Sequence, residues 1–136
     1  MTEHQLFCLF EPLNGSEGFC ALKNAVSGAC VAYAYGVEEA QRTHVLAALM
    51  EGTGRTLVVV VPNDIVGQRI VEDMNALLPG AAALLPAREV SFVRSAASSR
   101  DLTIRRLETI GRLVTGQLRA LVLPADAWMH RLMPRA

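Results

Sequence analysis

The sequence predicts an α/β fold in which a parallel β-sheet carries helices on both faces. Short apolar runs alternate with longer helical patterns, which is the order of β-α-β units. The clearest run, LVVVVP, lies within a strand predicted at 55–62, and a run without polar residues is typical of a strand buried on both faces. The chain has 136 residues, of which 51% are hydrophobic and 19% charged, enough for one domain with a real core.

Two short helices are predicted before the sheet begins. The segments LFCLF and SEGFCALKNA, within residues 1–28, are expected to form them and to pack on the sheet. A first strand is predicted at 29–35, ACVAYAY, and a helix at 38–52, which ends at Gly52. The predicted division is therefore a helical segment at 1–28 and an α/β domain at 29–136.

The next helix is predicted at 63–80, directly after the apolar strand. Asn63 is the expected N-cap, because its side chain can accept a hydrogen bond from an unpaired amide of the first turn. Pro79 and Gly80 end the helix. Its apolar stripe is predicted to comprise Ile65, Val66, Ile70, Met74, Leu77 and Leu78.

The remaining pattern predicts a weak strand at 81–86, a loop at 87–99, a helix at 99–116, a strand at 118–124 and a short helix at 125–134. The helix at 99–116 is expected to turn its arginines outward. Since a sheet of about four strands is small, we expect a truncated domain, part of a longer protein. The apolar stripe of the helix at 99–116 is predicted to comprise Leu102, Leu107, Ile110, Leu113 and Val114.

Composition argues against several functional classes. The net charge is zero and the pI is about 6.8, so no global charge attracts the chain to DNA or to a membrane surface. The first residues lack the features of a signal peptide, and the longest apolar run is too short to span a bilayer. The three cysteines form no C-x-x-C pair, which favours free thiols in a reducing, cytoplasmic setting over metal binding.

The most suggestive motif is GVEEAQRT, at 36–43. It lies between a predicted strand and a predicted helix, the context of a phosphate-binding P-loop, G-x-x-x-x-G-K-[ST]. Gly36 and Thr43 match that pattern. Gln41 replaces the second glycine and Arg42 replaces the lysine.

Two acidic residues argue further against a nucleotide site. Glu38 and Glu39 would bring negative charge to the place where a P-loop holds a triphosphate. The same carboxylates are stabilised by the positive N-terminal end of the following helix. We therefore predict no nucleotide and no other cofactor here, and an ordinary turn from strand to helix explains the residues equally well.

No other residues form a recognisable catalytic or metal site. Asp126 follows an apolar strand but is predicted to be a first-turn acid of the last helix. His4, His44 and His130 are far apart, and each is predicted to lie at the surface or at the edge of the core. The helix face at 100–112 could contact nucleic acid or an acidic partner, although a solvated face is favoured. The locally basic region comprises Arg94, Arg100, Arg105, Arg106 and Arg112.

Three blocks, taken in order and spacing, resemble the N-terminal region of bacterial transcription-repair coupling factors, the Mfd family. GVEEAQR stands where that family has the relic of a P-loop. VLAALMEGTGRTLVVVVPN resembles the family's helix, Gly-Arg turn and apolar strand. SRDLTIRRLETIGRLVTGQLRALVLPADAWMHRLMP resembles an arginine-bearing helix, a strand ending in proline and a short helix.

The resemblance implies a P-loop-NTPase-like fold, similar to the first domain of UvrB, that does not hydrolyse ATP. In that family the UvrB-like region is a scaffold that recruits UvrA to stalled RNA polymerase in nucleotide excision repair. UvrA would bind through the following domain, and RNA polymerase and DNA through downstream domains that include an ATP-dependent DNA translocase. Two alternatives remain: the nucleotide-binding first domain of an active UvrB or helicase-type ATPase, and a stand-alone signalling or cofactor-binding α/β domain.

Overall fold

The computed structural model of the chain describes residues 3–28, 30–87 and 96–129. The chain divides into two compact units, residues 1–55 and 56–136. The division into a helical segment and an α/β domain at residue 28 stays a prediction.

The described residues of the first unit form three helices, α1 (Glu3–Asn14), α2 (Glu17–Ser27) and α3 (Glu39–Thr53). The two short N-terminal helices and the helix predicted at 38–52 are thus confirmed. The guanidinium of Arg55 donates hydrogen bonds to the carbonyls of Val26, at 3.0 Å, and Ser27, at 3.3 Å. These carbonyls belong to the last turn of α2, so the arginine caps that end together with the Gly28 amide, which also donates to the Val26 carbonyl.

A histidine joins α1 to α3 within this unit. Nε2 of His44 lies 2.9 Å from the carbonyl oxygen of Leu9, and the imidazole stacks on the ring of Phe10 with centroids 5.4 Å apart. Since a carbonyl can only accept, Nε2 carries the proton and donates. The predicted place of His44, at the edge of a core, is consistent with its half-buried side chain.

The strand predicted at 29–35 is wrong for residues 30–35, which have no strand pairing. The side chains of Val31, Tyr33 and Tyr35 are 84%, 78% and 87% exposed. The two tyrosine rings stack on each other, with centroids 6.5 Å apart. High β-propensity expresses packing on a pleated, half-buried surface, and within this unit no described segment provides such a surface. Ala29 lies outside the described residues.

The described residues of the second unit, 56–87 and 96–129, form a three-stranded parallel sheet in the order β1-β3-β2, with helices on both faces. Leu57 and Ala82 both lie opposite Ala120, which fixes the register on the two sides of the central strand. The predicted fold class is confirmed. The elements are β1 (Leu57–Val61), α4 (Asp64–Leu77), β2 (Ala82–Leu84), α5 (Ala96–Val114), β3 (Ala120–Pro124) and α6 (Ala125–Met129).

Helix α4 covers one face of this sheet. Asn63 caps it as predicted, since its Oδ1 accepts the Val66 amide at 3.0 Å. The predicted stripe is only partly right. Ile65 is 76% exposed, and the residues of α4 that are buried are Gly67, Val71 and Met74. These positions, with the buried Leu78 that follows α4, are four, three and four residues apart, which is the spacing of one helix face.

Helix α5 covers the opposite face over β2 and β3. Ile110 and Leu113 pack against a buried cluster that includes Leu85, Leu121 and Leu123. The same face of β1 is less covered, because Val58 is 48% exposed and Val60 51% exposed. Burial of β1 on both faces, expected from its apolar run, is therefore wrong, whereas every residue of β3 is buried.

The inward face of α5 differs from its predicted stripe. Leu107 and Val114 are 64% and 57% exposed, whereas Arg106 and Thr109 are buried. Thr109 Oγ1 donates to the Leu84 carbonyl at 3.2 Å, and Arg106 donates to the Pro86 carbonyl. The buried side of α5 meets carbonyl groups at and after β2, so hydrogen-bond donors are favoured there over methyl groups. The prediction that all arginines face outward is wrong for Arg106.

Two further predicted segments, the loop at 87–99 and the helix at 125–134, lie partly outside the described residues. Of the first, α5 begins at Ala96, and of the second, α6 spans Ala125–Met129. In the part of the chain that the structure describes, no helix is both long enough and apolar enough to cross a membrane.

Candidate functional site at the start of α3

The P-loop-like motif forms a short turn followed at once by α3. Gly36 has φ +74°, a left-handed conformation in which a side chain is strained. Glu38 is the N-cap, with φ −60° and ψ 150°, and the helix begins at Glu39. The helix therefore starts at the fourth position of the motif, before the residues that stand for glycine and lysine.

Because the helix begins this early, backbone amides that a phosphate-binding loop would need are hydrogen-bonded within the helix. The Gln41 and Arg42 amides donate to the carbonyl of Glu38 at 2.9 and 3.1 Å. A P-loop binds phosphate because successive N–H groups point into the loop. Here the two amides at the glycine and lysine positions point along the helix instead.

The acidic residues lie at the positive end of the helix. Glu38 and Glu39 are exposed, and the Glu38 side chain makes no capping hydrogen bond. Negative charge at this end is stabilised by the helix macrodipole. The carboxylates thus occupy, by charge, the position that an anionic ligand would take.

The last motif residue is separated from the others. Thr43 is buried, with 4% of its surface exposed, whereas Arg42 is exposed. A magnesium-binding hydroxyl must be accessible to the ion, which keeps several of its water ligands. The structure thus brings residues 36–42 together in one turn but places the Thr43 side chain in the interior.

A cavity of about 650 Å³ lies beside this turn, within the first unit. Its wall includes Tyr33, Tyr35, Gln41 and His44, and none of the lining residues is acidic or a lysine or arginine. A wall without charged side chains offers no positive charge to balance the phosphates of a nucleoside triphosphate. Sequence reasoning missed the cavity because its wall joins α1, α2 and α3 to residues 32–37, and no local motif marks such a combination.

The other candidate residues fall at separate places. Asp126 is exposed in the first turn of α6, as predicted. The side chain of His4 and all of His130 lie outside the part of the chain that the structure describes. Among the described residues, no group of three or more His, Cys, Asp or Glu side chains is placed to hold a metal ion.

The arginines predicted as a basic face at 100–112 are divided between two roles. Arg100 and Arg105 are exposed, whereas Arg106 and Arg112 donate to backbone carbonyls. The Arg112 guanidinium lies 2.9 Å from the Gly80 oxygen. Arg94 lies outside the described residues. The described part of this face is therefore not a continuous row of free cations.

Comparison with known proteins gives one informative similarity. The chain is similar to a transcription-repair-coupling factor of Bacillus subtilis (strain 168). The two sequences are 28% identical over 100 residues, which are 73% of this chain and 8% of the relative's length. No family model matches the chain, and no solved structure matches it. The similarity supports a region related to Mfd, and the chain corresponds to a small part of that relative.

Proposed function

We propose that the chain is a non-catalytic scaffold within the UvrB-like region of a transcription-repair coupling factor. The similarity to the Bacillus factor over 100 residues carries this proposal. The three sequence blocks that resemble the Mfd family agree with this similarity, because they occur in the family's order.

The loop geometry supports the non-catalytic part of the proposal. The amides of Gln41 and Arg42 are hydrogen-bonded to the Glu38 carbonyl at the start of α3, and Thr43 is buried. The adjacent cavity has a neutral lining. ATP hydrolysis would belong to the DNA translocase domains downstream in the full-length factor.

The proposed partners follow from the family. UvrA would bind through the domain that follows this segment, and RNA polymerase and DNA through domains further downstream. The chain itself would contact other domains of the same factor in the cytoplasm. The proposed organisation is a helical segment at 1–28 and a degenerate P-loop-NTPase-like α/β domain at 29–136.

Titration of the chain with magnesium-ATP in a calorimeter is expected to give no binding heat. Neither the amides of Gln41 and Arg42 nor the Thr43 hydroxyl is available to phosphate or magnesium. The variant Arg42→Ala should behave in the same way, because an exposed guanidinium without a phosphate cradle beside it adds no nucleotide site. Micromolar binding that Arg42→Ala abolishes would instead favour the nucleotide-binding domain of an active ATPase.

Residues 1–136 alone are expected to bind UvrA weakly or not at all. Biolayer interferometry with immobilised UvrA measures this directly, and the full-length factor is the positive control. Strong binding by residues 1–136 would place the UvrA contact in this segment and contradict the proposed arrangement.

A further inference from the structure

Strand β2 has one side that faces β3 and one side that faces away from it. The Ala81 carbonyl accepts a hydrogen bond from β3 and the Leu85 amide donates one to β3, both at 2.8 Å. Backbone groups of successive residues point alternately to the two sides of a strand. The backbone groups of Ala82, Leu84 and Pro86 therefore point away from β3, to the side on which a further strand would pair.

The side chain of Asn75, in α4, holds both outward groups of Ala82. Its Nδ2 donates to the Ala82 carbonyl at 3.1 Å, and its Oδ1 accepts the Ala82 amide at 3.0 Å. Since a carbonyl only accepts and a backbone amide only donates, these bonds fix the orientation of the side-chain amide. The two bonds are the ones that a directly opposed residue of an antiparallel strand would make.

Two side chains of α5 hold the next outward groups from the other face of the sheet. Thr109 Oγ1 donates to the Leu84 carbonyl at 3.2 Å, and the Arg106 guanidinium donates to the Pro86 carbonyl. Proline has no amide hydrogen to offer. Of the outward groups in this run, the Leu84 amide is the one for which the described part of the chain supplies no partner.

We propose that Asn75, Arg106 and Thr109 serve to keep any further strand from pairing with β2. An unprotected strand edge is a template for pairing with another segment or another chain, and proteins protect such edges. These three side chains and β2 all belong to the second unit, so their hydrogen bonds do not depend on what else lies nearby. Asparagine is a poorer helix former than alanine, so helix propensity does not explain its presence in α4. This inference goes beyond the proposed function and does not depend on it.

The test measures amide hydrogen exchange by NMR in residues 1–136. In the wild-type chain the Ala82 amide should exchange slowly and the Leu84 amide quickly. The double variant Asn75→Ala with Thr109→Val frees three outward groups, which together with the Leu84 amide allow a strand to pair. The Leu84 amide should then become about tenfold better protected, because it gains a hydrogen bond. Slow exchange of the Leu85 amide, which bonds to β3, shows that the sheet is intact.

Sedimentation velocity over a range of concentrations identifies the strand that has been added. Protection of the Leu84 amide that rises with concentration, together with association, means a strand of another copy. Protection without association means a segment of the same chain. Both results support the proposal, because either strand pairs with β2 only after the side chains that protect this edge have been removed.

The matched control is Val71→Ala, in the same helix. Val71 is buried against the sheet side of α4 but bonds to no group of Ala82. This variant weakens packing and leaves the edge protected, so its Leu84 amide should exchange as in the wild type. Asn75→Ala alone frees two groups and should give a smaller gain in protection than the double variant. Far-UV circular dichroism checks that each variant is folded.

Three results would overturn the proposal. One is a Leu84 amide that exchanges at the wild-type rate in both Asn75→Ala and the double variant, since no strand would then have been kept away. Another is equal protection in Val71→Ala, because loss of stability alone would explain the effect. The third is a wild-type Leu84 amide that becomes protected as concentration rises, since a strand would then pair with β2 in spite of these side chains.

Discussion

Replacing Gly67 with valine is expected to lower the free energy of unfolding by about 3 kcal/mol. A Cβ at this position would lie 2.7 Å from Leu84 Cδ1 and 3.2 Å from Val61 Cγ2. The leucine methyl can rotate away, but the β-branched valine is stiff, and the added methyl groups reach further toward the sheet. Helix α4 must therefore move away from β1 and β2. Urea unfolding measures the loss.

The control is another helical glycine, in open surroundings. A Cβ at Gly111, in α5, meets nothing within 4 Å, and the residue is exposed. Gly111→Ala should raise the free energy of unfolding by about 1 kcal/mol, because alanine is the better helix former. Equal stability of Gly67→Val and the wild type would show that α4 does not approach the sheet as closely as described.

The parts of the fold that follow local rules could be predicted from the sequence. The Asn63 cap requires only a side chain and an amide three residues away. The buried strand β3 follows from a run of apolar residues near Ala120, and its parallel pairing follows from the alternation of strands and helices. These features depend on neighbours in the chain.

The errors arise where distant parts of the chain decide the outcome. Tyr33 and Tyr35 have high strand propensity, but a strand also needs a neighbour with which to pair. Arg106 and Thr109 are inside because carbonyls after and within β2 require donors. Helical periodicity places polar residues outside. No local pattern could therefore indicate that these two polar residues are buried.

The candidate site shows the same limit. The motif at 36–43 correctly indicated a helix start and acidic residues near its positive end. It could not show that the Glu38 carbonyl accepts the amides of Gln41 and Arg42, or that Thr43 is buried. Those two facts depend on where the helix begins and which of its faces packs inward. They provide the physical reason for expecting no phosphate binding.

Met74→Ala should lower the free energy of unfolding by about 3 kcal/mol, whereas Ile65→Ala in the same helix should change it by less than about 0.5 kcal/mol. Periodicity assigned both residues to one apolar stripe, but Met74 is fully buried and Ile65 is 76% exposed. The first truncation leaves a cavity where α4 packs on β2 and β3, and the second removes atoms already in water. Urea unfolding of the two variants distinguishes the apolar stripe predicted from the sequence from the buried face seen in the structure. Similar losses would support the stripe inferred from sequence, whereas a large difference would support a buried face formed by Gly67, Val71 and Met74.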